Sequence, residues 1–172
     1  MLITKPEPTE FASYYGKYIN QVEGNDLLDA LEENAKSFSA FIKTISVEKL
    51  DYRYAEGKWT IKEIIVHLAD AERIFAYRAL RFARKDKTPL AGFEENNYVP
   101  ESNTANQSAE QLLEEFNAVH KASIALYKSF TAEMSLRAGA ANGNEISVRA
   151  LGFIMVGHVV HHQQTIVERY LK

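Results

Sequence analysis

Apolar residues recur at steps of three and four in four stretches of the chain, and each stretch predicts a helix with one buried face. The first follows "VEGND" and runs from about Asn25 to Ile45, with Asn25 read as its N-cap. Leu27, Leu28, Leu31, Ala35, Phe38 and Phe41 or Ile42 form its stripe. The second opens at "TIKE", where Thr60 and Glu63 have capping-box spacing, and runs from Ile61 to about Lys85. Its stripe is Ile61, Ile64, Ile65, Leu68, Ala71, Phe75, Ala79 and Phe82. The third starts at Ser108, paired with Gln111 in a second capping box, and reaches about Phe130. The fourth spans about Ser147 to Leu171. No segment reads clearly as a strand, and "RAGAANGN" reads as a turn.

Between the second and third helices lies "DKTPLAGFEENNYVPESNTANQ", which has no period and holds two of the four prolines. So long a connection in a compact domain is a crossover or a lid. It can run the length of a bundle and let the helices it joins lie parallel. The fold expected is all-α, a four-helix bundle in one domain over residues 1–172. The aromatic-rich "EFASYYGKYI" before the first helix is expected to pack over an end of the bundle.

Composition narrows the function. The 172 residues are 46% hydrophobic and 25% charged, with a net charge of -3. There is no basic footprint for nucleic acid, no polybasic patch for a membrane surface, and no apolar run long enough to span a bilayer. The N-terminus lacks the order of a signal peptide, so a cytoplasmic location is expected. With no cysteine, the chain itself offers neither a thiolate ligand nor a thiol nucleophile.

Three of the five histidines fall in "GHVVHHQQTIVERYL". His158 and His162 are four apart and share a helix face, a spacing at which two imidazoles can hold one cation. Leu151, Ile154, Met155, Thr165 and Ile166 bracket that face, whereas His161 lies about 100° from His162 and toward its edge. The step from His158 to His161 stays open on spacing alone. His67, in "IIVHLADAE" on the flank of the second stripe, is the natural third ligand, since bundles project such residues inward from facing helices. His120 has a more polar setting and no second ligand near it. Asp70 and Glu72 read as solvated charge, and Arg78 and Arg169 as partners in structural ion pairs. Trp59 can line a pocket mouth, though a core or staple role is favoured, and Phe75, Tyr77 and Phe82 read as packing. The "GFEENNYV" stretch can cover a pocket or tie the crossover down.

The blocks "AEGKWTIKEIIVHLADAERIFAYRALRFARKD", "GFEENNYV", "AANGNEISVRAL" and "GHVVHH…ERYL" together resemble the DinB-like (DinB/YfiT) superfamily over essentially the whole chain. The resemblance implies an up-down-down-up bundle, often a homodimer. It also implies a divalent metal, zinc or nickel, held by three histidines at one end of the bundle. Those ligands fall on His67, His158 and His162, which leaves His161 a neighbour. Members are described as metal-dependent hydrolases, and some are S-transferases using a low-molecular-weight thiol such as bacillithiol or mycothiol. The implied partners are thus a small-molecule electrophile and a thiol cosubstrate. Close relatives often carry glutamate after the first histidine of the last block, where this chain has Val159.

Overall fold

A computed structural model describes residues 2–172. Four long helices carry the architecture. After a short N-terminal helix, α1 (Gly16–Ile19), come α2 (Leu27–Lys43), the single turn α3 (Val47–Leu50) and α4 (Ile61–Ala83). The crossover holds one more turn, α5 (Glu95–Tyr98), and leads to α6 (Ala109–Lys128). A further turn, α7 (Ala132–Ser135), precedes a hairpin of β1 (Ala138–Ala141) and β2 (Asn144–Ser147), and α8 (Val148–Arg169) closes the chain. Among the described residues no helix is long and apolar enough to cross a membrane.

Contacts between the long helices set their directions. Ser39 meets Asn117 and Glu32 meets Lys128, so α2 and α6 are antiparallel. Tyr170, just past α8, bonds the carbonyl of Trp59, just before α4, so these two helices also oppose. Glu72 meets His120 halfway along α4 and α6, while Ile61 to Ala69 share one apolar cluster with Leu112 to Phe116, so α4 and α6 run parallel. The order is up-down-down-up, and the long connection makes the parallel pair possible.

Both capping boxes form. Thr60 Oγ1 accepts from the Glu63 amide at 3.1 Å, and Ser108 Oγ accepts from the Gln111 amide at 3.3 Å. The N-cap of α2 is Asp26, not Asn25: its carboxylate accepts from the Leu28 amide at 3.0 Å, while Asn25 Oδ1 is taken by the Lys5 amide at 2.9 Å.

The "RAGAANGN" turn is a β-hairpin, with Ala138 opposite Ser147 and Ala141 opposite Asn144. Asn142 and Gly143 sit at its tip with φ of 49° and 74°. Two successive left-handed residues are what a tight hairpin turn demands, and Asn-Gly supplies them at least steric cost. Leu90 of the crossover exchanges backbone hydrogen bonds with Ala140 and Asn142, which ties the long connection to the hairpin.

The first half of α8 is buried all round, from Ala150 to Val159. Such a helix must be central. It packs on α2, α4 and α1, and it joins an upper apolar cluster containing Phe75, Phe82, Tyr127 and Phe153 to a lower one containing Phe38, Leu68, Phe116 and Ile166.

Candidate metal centre

His67 occupies the second turn of α4, and His158 lies midway along α8, which opposes it. The centre therefore sits on the flank of the bundle where the two apolar clusters meet, not at its end. Nε2 of His67 and Nε2 of His158 are 3.1 Å apart, and Nε2 of His162 is 3.1 Å from that same His158 nitrogen. One ligand atom from each of the three lies within 4.8 Å of both others. His67 and His158 are buried and His162 is half-buried.

Burial lowers the pKa of His67 to about 4. His158 and His162 are held well below the ordinary value, by burial first and then by the neighbouring imidazoles. All three are neutral near pH 7, the form in which imidazole donates a lone pair to a metal.

The hydrogen-bond arithmetic is unfavourable without a shared cation. Nε2 of His158 faces two other ring nitrogens, yet a ring nitrogen offers one proton or one lone pair. It cannot satisfy both neighbours. Three imidazole nitrogens at metal–nitrogen distances of about 2.0–2.1 Å would stand roughly 3 Å from each other, close to the spacing seen. The donor set fits a divalent ion.

A pocket of about 620 Å³ opens over these rings. The Trp59 ring lies 4.7 Å from His67, centroid to centroid, so Trp59 forms pocket wall and not only a staple. The ring of Tyr18 in α1 lies 5.2 Å from His158 and 5.3 Å from His161, centroid to centroid, in edge-to-face arrangements. His161 is thus a wall residue, and its ring is outside the three-nitrogen cluster. Tyr14, Tyr15 and Lys17 complete that side, Phe93, Glu94 and Glu95 of the "GFEENNYV" stretch cover another, and Asn142 and Asn144 enter from the hairpin.

Three expectations need correcting. Glu72 is not solvated: it is 3% exposed and its carboxylate lies 2.8 Å from Nδ1 of His120. His120, whose other nitrogen meets the Leu31 carbonyl at 2.9 Å, is a core residue away from the metal cluster. Arg78 is buried but forms no ion pair among the described residues; it donates to the carbonyl of Ala91 at 2.9 Å. Arg169 lies on the exposed end of α8. Tyr14, Tyr15 and Tyr18 carried only a packing signal in the sequence. Asn142 and Asn144 were legible only through the Asn-Gly turn.

The family model of the DinB superfamily matches residues 30–166. The chain belongs to the DinB superfamily. This DinB protein is 26% identical over 149 residues to a Bacillus pumilus protein named, by inference, a metal-dependent hydrolase, covering 82% of this chain and 81% of that one. A relative from Oceanobacillus iheyensis with the same inferred activity is 24% identical over 96 residues, and the match spans about half of each protein, 54% of this chain and 55% of the relative. Among solved structures, YfiT from Bacillus subtilis has a TM-score of 0.74 at 19% identity, covering 95% of this chain and 90% of its own. It is described as having an unusual four-helix bundle topology and an inferred metal-dependent hydrolase activity. A mycothiol-dependent maleylpyruvate isomerase has a TM-score of 0.66 at 13% identity, covering 80% of this chain and 58% of its own. These structural likenesses establish the shared fold.

Proposed function

We propose that this protein is a divalent-metal-dependent enzyme for small molecules, with His67, His158 and His162 as the metal ligands. The observation that carries the reading is the convergence of three neutral ring nitrogens at the base of an open pocket. Zinc or nickel suits an all-imidazole donor set. A divalent cation there supplies Lewis acidity and lowers the pKa of a nucleophile's proton. The chain's own residues supply the rest. The α4–α8 pair fixes the three nitrogens, and Trp59, Tyr18 and Phe75 make the walls that restrict water.

The reaction proposed is transfer of a low-molecular-weight thiol to an electrophilic small molecule. Three neutral ligands leave the full positive charge to face an incoming thiolate, and the cysteine-free chain needs that sulfur from a cosubstrate. The fold shared with a mycothiol-dependent enzyme supports this reading. Hydrolysis is the second reading, supported by the activity inferred for the Bacillus and Oceanobacillus relatives. A homodimer belongs to the same proposal and is checked by light scattering on the purified protein.

Metal analysis of purified protein should find one zinc or nickel per chain, and His67→Ala should abolish retention. Turnover of a chlorinated aromatic with added bacillithiol, in which the sulfur replaces chloride, tests transfer. Simple esters and amides test hydrolysis. Unchanged metal content in His67→Ala would overturn the ligand set.

A further inference from the structure

We propose that the substrate of this pocket carries a carboxylate and that the guanidinium of Arg78 is its anchor, a reading that rests on the metal pocket proposed above. Arg78 is 4% exposed and lines the same pocket as the three histidines. A guanidinium has five N–H donors. The acceptors it meets are neutral, the carbonyl of Ala91 at 2.9 Å and the hydroxyl of Tyr15 beside it. Burial without a paired or bonded counter-charge is costly for any ion.

The groups around it do not neutralise it. Tyr15 is the titratable side chain that acts on it, and its pKa is raised, chiefly by burial, so it faces Arg78 as a neutral phenol. Glu94 and Glu95 line the pocket as well, but neither pairs with Arg78, and Glu94 is occupied in capping α5 through the amide and side chain of Asn96. Lys17, the other cation on the wall, lies over the rings of Tyr14 and Tyr18 at 3.9 and 4.7 Å and adds positive potential.

Position suits the role. The Phe75 ring centroid is 5.9 Å from the Arg78 guanidinium carbon and 6.3 Å from the centroid of the His158 ring. One phenyl ring is therefore a neighbour of both the anchor and the metal cluster. A small molecule lying along Phe75 reaches both, with its carboxylate in the fork of Arg78 and its reactive carbon toward the histidines. Planar bidentate pairing is the reason the residue is arginine and not lysine.

Benzoate and benzamide, alike in shape and different in charge, test this by NMR titration of the zinc-loaded protein. Benzoate should bind saturably and shift the Arg78 Nε resonance, and benzamide should bind about tenfold or more weakly. Arg78→Lys and Arg78→Met should lose about tenfold or more of the benzoate affinity while zinc content stays unchanged. Equal binding of the two probes, a stationary Arg78 resonance, or undiminished benzoate binding in folded Arg78 variants would overturn the proposal. If the variants do not fold, the probe pair and the Arg78 resonance of the wild type decide. A zinc-free arm separates the two readings. Arg78-dependent benzoate binding in a protein that takes up no zinc would support the anchor and remove the metal centre. Zinc uptake with no benzoate binding would do the reverse.

Discussion

Nε2 of His67 on α4 and Nε2 of His158 on α8 face each other at 3.1 Å, although 91 residues separate them in sequence. Anything that bridges them ties the two central helices together. A ligand that binds only the folded state at a hundred times its dissociation constant adds about 2.7 kcal/mol of stability. For a domain of this size that corresponds to a rise of about 5–10 °C in melting temperature. Zinc or nickel added to chelator-treated protein should produce this rise, measured by differential scanning calorimetry, and His158→Ala should remove it.

The buried pair of Glu72 and His120 gives a pH dependence of its own. His120 is raised above its ordinary value: burial opposes the charge, but the Glu72 carboxylate and the Leu31 carbonyl outweigh it. A raised folded-state pKa stabilises fully below the unfolded value near 6.5 and is lost as pH rises through the folded value. Glu72→Gln should therefore cost most near pH 6, by about 2 kcal/mol, and less at each step toward pH 9. Urea unfolding of both proteins across that range checks it. A cost that is flat or grows with pH contradicts the assignment.

Of the four long helices, α2, α4 and α6 were legible through a clean apolar period, two of them with capping boxes, and α8 through the length of its apolar run, so their bounds fall within about two residues of the expected ones. The histidine trio was legible for a related reason: His158 and His162 share a helical face, and periodicity reports faces. Contacts between distant segments carried no such signal. Glu72 looked solvated because its partner, His120, is 48 residues away. Arg78 looked paired because a buried cation usually is. The hairpin was hidden by its small residues, since "AGAA" has no alternation. The reason for those small residues is spatial: a side chain added at Gly139 would meet the Phe82 ring at 2.2 Å.

Gly157 marks where α1 crosses α8. A Cβ built there would stand 2.1 Å from the main-chain oxygen of Tyr18 and 2.4 Å from its carbon. Backbone cannot yield as a side-chain tip can, so α1 must move and take Tyr18 away from His158. Gly157→Ala should destabilise the protein by about 1–3 kcal/mol, read by chemical denaturation. It should also weaken zinc retention, which separates it from an ordinary core defect. Gly143→Ala, at the hairpin tip, should cost about 1 kcal/mol through its positive φ and leave zinc retention intact.

Val159 stands where relatives of the resembling family often carry glutamate, and its environment forecasts what a carboxylate would meet. It is 2% exposed and belongs to the lower apolar cluster with Leu68 and Ile166. One residue on from His158, it stands about 100° around the helix from His158 and about 60° from His162, with its side chain among the lower apolar cluster. A glutamate introduced here would lose its hydration with no cation within the cluster to receive it. Val159→Glu should cost about 3–5 kcal/mol near pH 7, less at pH 4 where the carboxyl is neutral. Its unfolding should be compared with that of Val159→Gln, which removes the charge and keeps the length. If the glutamate variant proves as stable as the glutamine one and gains metal affinity, the side chain has turned toward the histidines. The wild-type site would then be a three-ligand version of a four-ligand one.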